Sequence, residues 1–155
     1  MDRTLPPDDA ARGQARAILA GARHAALAYA DPDPGVSRIA LGLSPVGQPV
    51  TLISALAPHF AALQANPACA LMVGEVGEAG DPLAHPRLMI RARAAFVAPD
   101  APDRTTLRAH WLATHPKAAL YVDFADFAFV RLTPVSALLN AGFGRAFRLT
   151  PADLA

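Results

Sequence analysis

Between Arg87 and Ala98 the chain reads RLMIRARAAFVA. Arg87, Met89, Arg91 and Arg93 alternate with Leu88, Ile90, Ala92 and Ala94. A period of two is the mark of a strand with one face in a core and the other outside it. A strand this long needs partners, so the chain is committed to a sheet. Ser37–Ser44 repeats the pattern, with Ile39, Leu41 and Leu43 on one face and Arg38, Ala40, Gly42 and Ser44 on the other. Ala68–Glu75 (ACALMVGE) has no polar face until its end, which predicts a central strand.

Fifteen prolines in 155 residues punctuate these segments. Pro6-Pro7-Asp8-Asp9 predicts a helix start, with acids at the positive end of the helix dipole, and a helix over residues 9–22. A strand at His24–Ala30 follows, closed by the turn sequence Asp31-Pro32-Asp33-Pro34-Gly35. After the hairpin-sized PVGQP at Pro45–Pro49 come a strand at Val50–Leu56 and a short helix at Pro58–Ala65. Asp100-Ala101-Pro102-Asp103 opens a helix that ends at about His115, before Pro116. Residues 117–122 continue as a helical turn. Late strands are expected at Phe127–Thr133, Ser136–Leu139 and Ala146–Leu149. Hairpin-length connections dominate, so the expected fold is mainly β (α+β): an antiparallel split barrel of six or seven strands with peripheral helices. It is a single domain over residues 1–155, with residues 1–8 as a flexible lead-in.

Composition excludes several classes. Hydrophobic residues make up 53% and charged residues 17%, which indicates a globular chain. The net charge of +1, without a basic cluster, argues against a nucleic-acid binder. Arg16, Arg23 and His24 interrupt the apolar stretch Ala15–Ala30, so no membrane span is expected there. The start MDRTLPPDDAARG is unlike a signal peptide, and the lone Cys69 cannot form an intrachain disulfide. Both point to the cytoplasm. The high apolar content predicts apolar surface covered in a homodimer.

The chemistry-bearing motifs are few. The five histidines lack metal-ligand spacing, and nothing pairs with Cys69, so no metal site is expected. No G-x-S-x-G is present, and Gly142-Phe143-Gly144 lacks the third glycine of a dinucleotide fingerprint. No residue marks itself as a catalytic base. Asp123 and Asp126 read as helix-end or turn residues. One stretch stands apart, LISALAPHFAALQANP at Leu52–Pro67. A helix beginning at Pro58 leaves first-turn N–H groups that attract an anion, phosphate above all. His59, if protonated, would add a charged donor, and Arg38 on a neighbouring strand could reach the same place. The same residues also read as a polar strand end, a solvated helix residue and an exposed arginine.

Six segments together resemble the pyridoxamine 5'-phosphate oxidase-like FMN-binding split barrels. S-R-x-A-L at Ser37–Leu41, L-x-S-x-L-A-x-H at Leu52–His59 and N-P-x-x-x-L-M-V-G-E at Asn66–Glu75 carry the general likeness. D-P-L-A-H-P-R-L at Asp81–Leu88, H-P-K-A-A-L-Y-x-D-F at His115–Phe124 and G-F-G-R-A at Gly142–Ala146 are similar to the heme-utilisation-related branch. The resemblance implies a homodimer with FMN in a groove between subunits, and an FMN-dependent oxidoreductase of undefined substrate. It places Arg38 at the flavin phosphate or ribityl chain. Ser54, Leu56, Ala57, Pro58 and His59 would hold the phosphate, His59 standing where relatives have lysine. Arg87 and Arg91 would line the groove, and Phe143 and Arg145 would reach it from the second subunit.

Departures from the family pattern bear on the chemistry. Phe60 and Ala62 stand where heme-branch relatives often carry small polar residues, and Leu88 replaces a glutamine of the true oxidases. Heme-degrading relatives take an axial histidine from near the C-terminus. No histidine follows His115 here, so heme ligation would need another residue. The alternatives to a flavoprotein are a heme-binding or heme-handling protein on the same scaffold and a cofactor-free dimeric barrel.

Overall fold

The computed structural model describes residues 3–155. Helix α1 (Asp9–Gly21) starts at Asp8, whose carboxylate accepts the Ala11 N–H at 2.7 Å. Strands β1 (His24–Asp31), β2 (Asp33–Ala40), β3 (Gly42–Leu43) and β4 (Pro49–Ser54) follow, then helix α2 (Pro58–Ala65). Strands β5 (Ala68–Val73) and β6 (Arg87–Phe96) precede helix α3 (Arg104–Thr114), and β7 (Phe127–Asn140) and β8 (Ala146–Leu149) end the sheet. Short 3-10 turns occupy Pro82–Ala84, Pro116–Leu120 and Pro151–Leu154.

All strand pairings are antiparallel, in the order β2-β1-β5-β6-β7-β4-β3, with β8 added to β7. The eight-stranded sheet curls until β2 lies beside β4, where the Thr51 hydroxyl donates to the Ala40 carbonyl at 2.6 Å. This is the expected α+β half-barrel, with more strands than the sequence suggests. The two-residue β3 is too short to show a periodicity, and β2 breaks at Leu41, whose N–H turns to the Arg23 carbonyl.

Two strands of β7 were expected, and the structure has one of 14 residues. Pro134 accounts for the difference. It sits between the stretch that pairs with β4 and the stretch that pairs with β8, where β7 has one neighbour, and the register to β6 slips there. A proline in a strand is tolerated at an edge or a bulge.

The alternation in β6 works as predicted. Leu88, Ile90 and Ala92 are buried in the main core with Leu27, Leu71, Val130 and Leu139, beneath Ala11, Ala15 and Leu19 of α1. A second core packs Val50 and Leu52 of β4 and Phe129 of β7 against Leu107 and Trp111 of α3. Strand β4 is therefore buried on both faces, which is why its sequence shows no clean alternation. Trp111 stacks on His115 with ring centroids 4.0 Å apart and lies over Gly42, where a Cβ would meet its ring at 3.0 Å. Burying each such large side chain contributes roughly 1.5–3 kcal/mol.

The chain ends are tied in. The Leu5 N–H donates to the Ala146 carbonyl, which tethers the lead-in to β8; residues 1 and 2 lie outside the described residues. No helix among the described residues is long and apolar enough to cross a membrane. At the C-terminus, Asp153 accepts from the Thr150 N–H at 2.7 Å, the Thr150 hydroxyl at 2.8 Å and Arg12 Nε at 2.7 Å.

Those contacts, led by the Thr150 backbone, pull the Asp153 carboxyl down to about 2. An unfolded aspartate titrates near ~3.9, so this stabilisation is complete above that pH and is lost as pH falls through about 2. Urea midpoints of wild type and Asp153→Asn should differ by a constant amount at neutral pH and converge on acidification. A gap that stays constant to pH ~2 would contradict this linkage. Cys69, with its Sγ 3.6 Å from the Ala92 carbonyl, is pushed up to about 11 by burial, partly offset by Arg93. Disulfide-exchange reagents should modify it only slowly in the folded protein and rapidly in urea. Rapid labelling of native protein would contradict its burial.

Candidate functional site

A hollow of about 730 Å³ lies between the C-terminal half of α1, the start of β1, β2 and the end of β5. Its origin is steric. Ala26 of β1 stands opposite Arg38 of β2 on one side and Met72 of β5 on the other. A methyl group between two long side chains leaves a trough. Ile18 of α1, Val36 and Met72 make its walls apolar, and Arg38, His24 and Glu75 bring polar groups to it. Gly74 shapes one end. It has φ +121°, and a Cβ there would lie 2.6 Å from the Pro86 carbonyl and 2.9 Å from the Arg87 Cα.

Two charged features mark this trough. Arg38 is exposed and makes no hydrogen bond or ion pair among the described residues. His24 Nε2 lies 3.1 Å from Glu75 Oε1. His24 belongs to no sequence motif, and Glu75 only closes the N-P-x-x-x-L-M-V-G-E segment. His24 opens β1 and Glu75 lies two residues past β5, and only the β1–β5 pairing brings them together.

The helix-start residues occupy a different place. Ser54 ends β4, and its hydroxyl is already engaged, donating to Asp126 Oδ2 and accepting the Leu56 N–H, both at 3.1 Å. Leu56 is exposed, Ala57 caps α2 and Pro58 is its first residue. Phe60 N–H bonds the Ala57 carbonyl and proline has no N–H, so fewer first-turn donors remain than the sequence suggests. His59 is buried beneath the helix, 5.9 Å from the Tyr29 ring, and its Nδ1 has no hydrogen-bond partner. Burial lowers its pKa and favours the neutral ring over a charged donor. The Asp126 carboxylate beside Ser54 adds negative charge where a phosphate would sit.

Arg38 and Ser54 nevertheless lie at one end of the β2–β4 seam, both beyond the Thr51–Ala40 bond from the hairpin turn and both alternating with core residues Ile39 and Ile53. Arg87 points elsewhere, donating to the Leu83 and His85 carbonyls at 3.1 and 3.4 Å. Arg91 is on the outer sheet face opposite Ala70 and Ser136. Phe143 is exposed in the β7–β8 turn, and the Arg145 guanidinium lies 5.9 Å from the Phe147 ring centroid. The ten expected residues thus fall in separate groups within one chain. Asp123 and Asp126 do serve local structure, Asp123 binding both guanidinium arms of Arg108 at 2.6 and 2.8 Å. Among the described residues, no three His, Cys, Asp or Glu side chains cluster to hold a metal ion.

No family model matches the chain. Among curated proteins it is similar to "Non-canonical heme oxygenase HOZ, chloroplastic" of Arabidopsis thaliana, 34% identical over 114 residues. That match takes in 74% of this chain and 34% of the relative, so the chain spans about a third of the length of the curated protein it matches. A heme binding protein from Mycobacterium smegmatis superposes with TM-score 0.83 at 27% identity, over 97% of this chain and 61% of that one. A Listeria innocua structure assigned as a pyridoxamine 5'-phosphate oxidase superposes with TM-score 0.67 over 84% of this chain and 98% of that one. At 14% identity it speaks for the fold alone. With the half-barrel topology and the six motif segments now placed on it, the chain has the fold of the pyridoxamine 5'-phosphate oxidase-like split barrels and is similar in sequence to heme-related proteins of that fold.

Proposed function

We propose that the chain binds heme as a dimeric heme-handling protein, with the tetrapyrrole seated in the trough between α1, β1, β2 and β5. The single observation that carries this reading is the pairing of an apolar trough with the unpartnered guanidinium of Arg38. Heme is a flat apolar body with carboxylates on one edge. Its body suits Ile18, Val36 and Met72, and a carboxylate suits a fork of guanidinium N–H donors. A volume of about 730 Å³ is within the range of ligand sites. The names of two relatives support the same ligand class.

FMN fits the geometry less well. Its phosphate would meet an engaged Ser54, a neutral His59 and the Asp126 carboxylate at the α2 start. Bound heme would supply redox-active iron. The chain's own part is to exclude water from the apolar face and to orient the carboxylate edge through Arg38. A second copy would complete the seat. Val36 and Met72 of the trough are exposed, as is Val135 at the β7 irregularity, and covering Val36 and Met72 with another copy would roof the trough.

Hemin titration should give a saturable Soret band at one heme per chain. Arg38→Ala should weaken binding about tenfold, which corresponds to ~1.4 kcal/mol for one charge-assisted contact. Absence of stoichiometric binding at micromolar hemin, or purification with stoichiometric FMN, would overturn the reading. Sedimentation should show twice the chain mass, and Val135→Glu should shift the species toward the monomer. A wild-type monomer at micromolar concentration would remove the dimer.

A further inference from the structure

Five histidines could ligate iron, and the structure separates them sharply. His59 is buried under α2 and does not line the trough. His115 is stacked on Trp111, with Nδ1 2.9 Å from the Thr114 hydroxyl and Nε2 3.3 Å from the Arg23 carbonyl. His85 is turned into its own loop, with Nε2 2.9 Å from the Ala79 carbonyl and its ring against Gly77. His110 lies exposed on α3, which packs on the second core. His24 alone among them lines the trough.

We propose that His24 is the axial ligand of the heme and that Glu75 is its positioning residue. The inference rests on the heme-binding reading above and gives it a coordination site. A metal-ligating imidazole commonly donates its second ring N–H to a carboxylate, which fixes the tautomer and ring orientation and makes the ligating nitrogen more basic. The pair is already built here, with His24 Nε2 3.1 Å from Glu75 Oε1. The other ring nitrogen has no partner among the described residues and is left for the iron. His24 opens β1 directly after α1, and Glu75 follows β5 and the conformationally constrained Gly74. His24 therefore sits in a paired strand, and Glu75 lies two residues past the end of another.

The test is ligand-sensitive spectroscopy on the 155-residue chain reconstituted with hemin. Wild type should show the iron–histidine stretching band in the ferrous resonance Raman spectrum. His24→Ala should lose that band and weaken hemin about tenfold or more, and added imidazole should restore it. Glu75→Gln should keep the band at lower frequency, because the carboxylate no longer draws the ring proton. His85→Ala should resemble wild type. Circular dichroism of each apoprotein checks folding, and Glu75→Gln keeps the idea testable if His24→Ala unfolds. Wild type that binds no hemin overturns the heme reading and this inference with it. Wild type that binds hemin, with the histidine band intact in His24→Ala, overturns His24 alone. A band unmoved in Glu75→Gln overturns the role of Glu75.

Discussion

The structure depends on β6 being paired along both edges. Ten residues of strand, Arg87–Phe96, are laddered to β5 on one side and β7 on the other. Because side chains alternate across a strand, this one register decides the fate of both faces. Leu88, Ile90 and Ala92 go inward, where they meet the apolar stripe of α1 and the inner residues of β1, β5 and β7. Arg87, Met89, Arg91 and Arg93 go outward. A slip by one residue would bury the arginines and expose the core, so the outer face is fixed in composition by the same pairing that fixes the inner one.

The trough is a consequence of that division. The outer row Arg38, Ala26, Met72, Met89 and Leu138 follows directly from the registers of five strands. Its smallest member, Ala26, stands between two long side chains, and α1 closes the space from one side. A cation, an apolar wall and a histidine–carboxylate pair come to one hollow because they lie on, or just past, strands that the sheet brings side by side. The start of α2, by contrast, spends its polar groups on local structure. Ser54 is bound to Asp126, and His59 fills space beneath the helix. The proposed heme seat therefore lies with the groups that have contacts to spare.

Much of this was legible in the residues. The α2 boundaries, β8 and the inward and outward sets of β6 agree with the sequence reading, because proline brakes and strict alternation are local signals. The burial of Val50–Ile53 on both sides was not legible, since it depends on α3 packing from far along the chain. The helix-start histidine shows the same limit. Its position beside first-turn donors was readable, while its burial against Tyr29 depends on how α2 sits on β1. The pairing of His24 with Glu75 had no signal, as fifty residues separate them and only the antiparallel β1–β5 pairing makes them neighbours. The six motif segments pointed to the fold without indicating which trough or which histidine carries the chemistry.

Diffraction from crystals grown with hemin, collected at the iron absorption edge, addresses the central claim most directly. The account predicts one anomalous peak per chain in the trough, with a planar group whose carboxylate edge meets Arg38. A peak beside α2, or none in a crystal that contains heme elsewhere, would contradict it.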